Sequence, residues 1–235
     1  MKRIIERMVK TIYPDVCPNC DKVTGYVGLC KECEGTFKIV KSPICAICGR
    51  SLEDSGELYC CECKVERHLF KRNISVFEYK GDIKECIYRF KYADMRCYSE
   101  YFASVADQRY ENVLKNWRID AIVPVPMYKK KQRQRGYNQA EEFAKSLSRL
   151  CEVRVENKLL IRRKPTAPMK SLSKQQRYEN LKKAFGVNKI REMPCRVLIV
   201  DDIFTTGSTM DACARVLLKA GVKEVYGMCV ATGSV

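Results

Sequence analysis

The residues best suited to chemistry lie in one stretch, 197–209, which reads VLIVDDIFTTGST. Asp201 and Asp202 close an apolar run, and Thr205, Thr206, Gly207, Ser208 and Thr209 follow as a hydroxyl-rich turn. Backbone N–H groups and hydroxyls at such a turn converge on one point. The positive end of the helix that follows favours a phosphate there. The two carboxylates would repel that phosphate, so their natural partners are neutral hydroxyls, such as a ribose diol, or a divalent cation. Diol acceptors beside a phosphate cradle describe a sugar phosphate site. The bland alternative is an ordinary strand–turn–helix connection with Ser208 as cap and both aspartates solvated; the clustering of acids and hydroxyls around a single glycine argues against it. The chain contains neither GxxxxGK[ST] nor GxGxxG, which excludes a Walker loop and a dinucleotide turn.

A second chemistry is written in cysteine. Of 15 cysteines, eight form four CxxC pairs: Cys17/Cys20, Cys30/Cys33, Cys45/Cys48 and Cys60/Cys63. The first 13 residues carry Glu6, Arg7 and Lys10 among their apolar positions, which is no signal-peptide core, so metal ligation accounts for the pairs better than disulfides do. Eight thiolates supply two tetrahedral four-cysteine zinc sites, paired either sequentially or crossed; the short loops between neighbouring pairs favour the sequential option. Cys61 competes with Cys60 for one position. The only histidine, His68, falls outside the pairs and reads as a surface residue of a connecting segment. The remaining cysteines, Cys61, Cys86, Cys97, Cys151, Cys195, Cys213 and Cys229, read as small buried hydrophobes.

Charge supplies the third signal. The net charge is +16, yet residues 1–70 are nearly neutral, with 11 Lys/Arg against 10 Asp/Glu. The excess is concentrated in 129–135, with five basic residues in seven positions, and in 162–191, with 10 Lys/Arg against Glu179 alone. Such patches favour polyanions, either nucleic acid or the pyrophosphate of a small substrate.

The elements that must position these groups follow from periodicity. Strands are expected at 74–80, 119–126, 197–200 and 225–230, the apolar runs among them being buried on both faces. Helices are expected at 83–92 (Ile83, Cys86, Ile87 and Phe90 inward), 98–114, from Asn138 onward, and at 210–220 ending at Gly221. Arg89 and Lys91 lie on the outer face of the first of these, where they can approach an anion. A short strand pair is expected at 151–161, a basic anion-binding loop at 129–135, and a Pro-containing mobile flap at 162–185. An opening helix places Ile4, Ile5, Met8, Val9 and Ile12 on one face. The expected division is a zinc module over 1–70 and an α/β domain over 71–235. No run approaches the ~20 apolar residues of a membrane span, and a cytoplasmic protein is expected.

VLIVDDIFTTGST resembles the signature of type I phosphoribosyltransferases, and VPVPMYKKKQRQRGYNQA narrows the resemblance to the ComF family. The resemblance implies a parallel sheet flanked by helices, behind a small Cys-rich zinc module. It also implies that Asp201 and Asp202 hold the ribose hydroxyls of phosphoribosyl pyrophosphate while 205–209 hold its 5′-phosphate. Arg133, Arg135, Asn138 and Gln139 fall to the pyrophosphate side, and Mg2+ to the ligand's own oxygens. Thr166, Leu172, Arg177 and Asn180 match the family's flap, while Met169 stands where Gln is usual. The family's setting is natural transformation, with incoming single-stranded DNA and competence proteins as partners. No residue is identified as a general base, and the acceptor is not specified. Two functions follow: transfer of the phosphoribosyl group, or a non-catalytic adaptor for single-stranded DNA or protein that retains the ligand site. Tyr128, Tyr137 and Tyr178 are its candidate stacking aromatics.

Overall fold

Apolar runs without a polar face require cover on both sides, and the strands that carry them here lie side by side in one parallel sheet. A computed structural model describes residues 14–164, 181 and 184–233. A cysteine-rich segment comes first, carrying a single-turn 3-10 helix (Lys31–Cys33) and the short α-helix α1 (Cys61–Val65). Then follow β1 (Arg72–Glu78), α2 (Asp82–Tyr92), α3 (Tyr98–Trp117), β2 (Ala121–Pro124), α4 (Lys129–Arg135) and α5 (Gln139–Cys151). The chain closes with β3 (Leu160–Arg162), β4 (Phe185–Val187), β5 (Arg196–Phe204), α6 (Ser208–Lys219) and β6 (Glu224–Thr232).

The sheet order is β1-β6-β5-β2, every pairing parallel, with Pro124 opposite Val200 and Asp201 opposite Cys229. The chain leaves β5 toward β6 on one side, whereas β2 lies on its other side. The carboxyl ends of β2 and β5 therefore flank the point where the strand order reverses, the usual ligand crevice of open parallel sheets. One face is covered by α2, α3 and α5 through Ile83, Ile87, Phe90, Phe102, Phe143 and Leu147. The other is covered by α6 and the β3/β4 hairpin through Met210, Cys213, Leu217, Leu160 and Phe185. The inward face expected for α2 is the one observed, with Ile83, Cys86, Ile87 and Phe90 buried.

The cysteine-rich segment covers the free edge of β1, with Val40 N–H donating to Val76 O at 3.0 Å and Asn73 N–H to Ile47 O at 2.7 Å. It gives an edge strand the backbone partners it would otherwise lack.

Several expectations change. Residues 129–135 form a helix rather than a loop, because lysine, arginine and glutamine are good helix formers and Gly136, at φ +86°, ends the turn. The central strand runs past both aspartates to Phe204. The pair expected within 151–161 forms instead between β3 and the distant β4, while Val155 bridges to Ile122. Of the cysteines expected as buried hydrophobes, Cys86, Cys213 and Cys229 are so; Cys61, Cys97 and Cys195 are exposed and Cys151 is half-buried. Tyr137 is buried, not a stacking surface. The opening helix and the flap residues Thr166, Met169, Leu172, Arg177, Tyr178 and Asn180 lie outside the described residues. Among the described residues no helix is long and apolar enough to cross a membrane.

Candidate sugar phosphate site and metal centres

Asp201 and Asp202 lie in the carboxyl-terminal half of β5, shortly before its end at Phe204, and because strand residues alternate their two side chains diverge. Asp202 N–H donates to Asp201 Oδ1 at 2.8 Å, which fixes the first carboxylate. Lys91, from the flank of α2, meets Asp202 Oδ2 at 2.9 Å, with both side chains about four-fifths enclosed (19 % and 18 % exposed). Loss of hydration in this recess pushes the Asp201 carboxyl up to about 7, with the charge of Asp202 adding to the shift; Lys91 and Arg162 pull the other way. Burial alone would lower the Lys91 ammonium, but the charges of Asp202 and then Asp201 outweigh it and raise its pKa. The result is an acceptor pair held beside a cation rather than a solvated pair of aspartates.

The hydroxyl-rich turn lies directly beyond. Asp201, Ile203, Phe204, Thr205, Thr206, Gly207, Ser208, Thr209, Met210 and Cys229 line one pocket. Thr206 Oγ1 and Ser208 Oγ are 2.8 Å apart. Gly207 caps α6 at φ +75°, a conformation that side-chain-bearing residues rarely adopt, and a Cβ there would stand 2.8 Å from His68 Cε1. The turn thus presents the start of a 12-residue helix beside the acidic pair. Of the two carboxylates predicted from sequence, Asp201 lines this pocket with the hydroxyls, whereas Asp202 turns to Lys91.

The basic segment lies across a neighbouring groove. Tyr128, Lys129, Lys130, Arg133, Arg162 and Arg163 line it, between α4 and the β3/β4 hairpin. Arg162 connects it electrostatically to Asp201. Arg135 stacks over Tyr92 at 4.6 Å and donates to Gln139 Oε1 at 2.6 Å. Asn138 is buried; it accepts from Ala140 N–H at 3.2 Å as the cap of α5 and donates to Val125 O at 3.0 Å. Gln139, also buried, reaches Phe90 O at 3.4 Å. Both amides are committed to protein partners: they fasten the helix start and Arg135 to the strand end, while Arg133 faces the open groove.

The cysteines gather into two tetrads, Cys17/Cys20/Cys30/Cys33 and Cys45/Cys48/Cys60/Cys63, the sulfurs of each lying within 4.8 Å of one another. The separations of Cys20 from Cys30 and of Cys48 from Cys60, both 3.6 Å, match the ~3.8 Å edge of a tetrahedron whose sulfurs stand ~2.3 Å from zinc. The arrangement is the sequential one. Cys60 rather than the exposed Cys61 joins the second tetrad. Cys60 N–H points at Cys45 Sγ at 3.4 Å. The Cys45 thiol is pulled down to about 4, first by a hydrogen bond from Cys48 and, against its burial, by backbone N–H groups including that of Cys60. In the same tetrad the Cys45 hydrogen bond raises the Cys48 thiol and burial raises that of Cys63, so it is the gathering of four sulfurs, rather than a shared preference for thiolate, that fits a structural zinc ion.

Sequence reasoning misses some of the site's neighbours. It gives Lys91 only a loose approach to an anion, since nothing in an amphipathic pattern says which flank of a helix meets a distant carboxylate. Arg89, expected in the same role, is instead turned to the first tetrad's loop, donating to Pro18 O at 2.8 Å and Asn19 O at 2.6 Å. His68 is no surface residue: its side chain is 4 % exposed and its Nδ1 meets Asp211 Oδ2 at 2.8 Å. Its lone occurrence between a metal module and a strand is the one signal the sequence offers.

Comparison with known proteins agrees with this geometry. A phosphoribosyl transferase domain model matches residues 102–234, and a double zinc ribbon domain model matches residues 8–64. Fold, tetrads and matches together define a phosphoribosyltransferase-type domain behind a double zinc ribbon. The chain is 34% identical over 206 residues to competence protein F of Haemophilus influenzae, covering 84% of this chain and 87% of that one. It is 29% identical over 227 residues to DNA utilization protein YhgH of Escherichia coli strain K12, covering 92% and 96%. With competence protein ComFC of Bacillus subtilis it shares 29% identity over 202 residues, covering 82% and 79%. The chain belongs to the ComF family.

Proposed function

We propose that the chain binds phosphoribosyl pyrophosphate, with Mg2+, at the carboxyl edge of its sheet. The observation that carries this reading is the shared pocket of Asp201 and the 205–209 turn, next to Asp202. Asp201 and Asp202 accept from the ribose hydroxyls. The hydroxyls of Thr205, Thr206, Ser208 and Thr209 and the N–H groups opening α6 receive the 5′-phosphate. Lys91 exchanges Asp202 for the pyrophosphate once the diol arrives, and Arg133 and Arg162 attract that group from the groove side. Mg2+, held chiefly by oxygens of the ligand, neutralises pyrophosphate charge. Such a site supports phosphoribosyl transfer, in which the bond from ribose C1 to pyrophosphate breaks as one to a nucleophile forms; positioning and electrostatics supply most of the barrier reduction.

A second reading rests on the basic groove of Lys129, Lys130, Arg133, Arg162 and Arg163, a suitable track for the backbone of a single nucleic-acid strand. Relatives named for competence and for DNA utilization support it. In this reading the chain works as an adaptor for single-stranded DNA during transformation, inside the cell and beside other competence proteins.

The pair Asp201→Asn with Asp202→Asn separates the two readings. Binding of phosphoribosyl pyrophosphate is lost while the zinc content and fold remain, and transformation fails if the ligand site does the work. A double variant that still supports transformation rejects transfer and leaves the adaptor.

A further inference from the structure

The two ribbons grip different walls of the ligand site. The first holds α2, the helix of Lys91, through Arg89, which contacts Pro18 O, Asn19 O and Asp21. The second reaches the phosphate turn. Arg50, just past the Cys45/Cys48 knuckle, donates from Nη2 to the Thr205 carbonyl at 2.9 Å and is steadied by Glu62 at 3.3 Å. His68, on the segment leaving that ribbon, donates from Nδ1 to Asp211 Oδ2, and Leu69 N–H donates to Oδ1 of the same carboxylate, each at 2.8 Å. The imidazole stacks on Phe70 at 4.6 Å, Phe70 meets Phe204 edge-on at 6.0 Å, and the ring lies against the bare face of Gly207. The turn is therefore held at its first carbonyl, at its glycine and at the first turn of α6. All three holds come from the second ribbon or its exit.

A short polar turn with a left-handed glycine loses conformational freedom when it orders around an anion, and ordering it beforehand removes that cost from binding. We propose that Arg50 and His68 are positioning residues for the phosphate turn, so that the integrity of the second four-cysteine site, and not of the first, sets the order of the sugar phosphate pocket. The ligand consequence rests on the reading of that pocket given above; the ordering itself does not.

The test uses the full-length, zinc-loaded protein and follows amide hydrogen exchange over 204–211, zinc content, and calorimetric affinity for phosphoribosyl pyrophosphate with Mg2+. Arg50→Ala and His68→Ala each speed exchange in the turn about tenfold and weaken the ligand by a similar factor, with both zinc ions retained. Arg50→Lys and His68→Asn, which keep a donor near the same place, recover part of both effects. Cys63→Ser reproduces the faster exchange, and Cys20→Ser, which empties the first site, does not. Turn exchange within about twofold of wild type in both alanine variants overturns the proposal, as does equal acceleration by the two cysteine variants. Should a cysteine variant fail to fold, the Arg50 and His68 variants decide alone. Should the wild-type protein take up no phosphoribosyl pyrophosphate, the ligand reading fails by itself and the exchange data still decide this proposal.

Discussion

Replacing Lys91 by methionine keeps the bulk of the side chain and removes its charge from the acidic pair. At 2.9 Å the ammonium and the Asp202 carboxylate attract by about 6 kcal/mol at an effective dielectric of ~20. Most of that is offset by the dehydration of two groups that are each about four-fifths enclosed, leaving a net loss of about 2 kcal/mol on removal of the cation. For a chain of this length that is a fall of about 4–8 °C in melting temperature. The loss depends on pH through Asp201. Its folded pKa, about 7, lies above its ordinary value, so its contribution to stability is complete below the ordinary carboxylate range and is lost as pH rises through about 7. Lys91 softens that loss by favouring the ionised form; without it the penalty of ionising Asp201 grows. Lys91→Met is therefore expected to cost more stability at about pH 8.5 than at about pH 6, with both zinc ions bound at each pH. Calorimetric melting of the zinc-loaded proteins at the two pH values measures it. A deficit below about 0.5 kcal/mol at both, or a larger deficit at the lower pH, would refute the ion-pair reasoning.

Other perturbations probe separate parts of the account. Gly207→Ala forces a Cβ into left-handed backbone and against His68, and is expected to lower stability by about 2 kcal/mol, read as a fall in melting temperature; an unchanged melt contradicts the close approach. Metal analysis should return two zinc ions per chain, and a strong chelator should melt the ribbons, each site carrying on the order of 10 kcal/mol of apparent folding energy. A chain that holds one ion or none overturns the double-ribbon assignment. Lys129→Glu, Lys130→Glu and Arg133→Glu together should weaken single-strand binding and flatten its salt dependence by about 0.7 for each phosphate no longer neutralised; unchanged affinity and slope remove the groove from consideration.

The parts of this molecule that are legible in its sequence share a feature: they are specified by neighbours in the chain. The CxxC pairs and the inward face of α2 each depend on spacing within a dozen residues, and each stands where that spacing puts it. Asp201 and the hydroxyl turn are likewise close in sequence, and one strand–helix connection lines a single pocket with them. What escapes depends on the packing of distant elements. Lys91 reaches Asp202 over more than a hundred residues, and His68 reaches Asp211 over 143. The helix at 129–135 is hidden by charge: its lysines and arginines suggest a solvated loop by composition, yet their straight side chains suit a helix well. Asn138 and Gln139 illustrate the converse. Their polarity draws attention, but burial at 7 % and 1 % exposure turns both toward the protein's own backbone.

The central claim is that the carboxyl edge of the sheet grips a ribose bearing a phosphate. Calorimetric titration of the zinc-loaded protein with phosphoribosyl pyrophosphate and Mg2+ tests it most directly. The account predicts saturable one-to-one binding that strengthens as pH rises through about 7 and Asp201 ionises to accept from the diol. It also predicts that the doubly substituted Asp201→Asn, Asp202→Asn protein shows none. No heat of binding in the wild-type protein, or binding that the double variant retains, would contradict it.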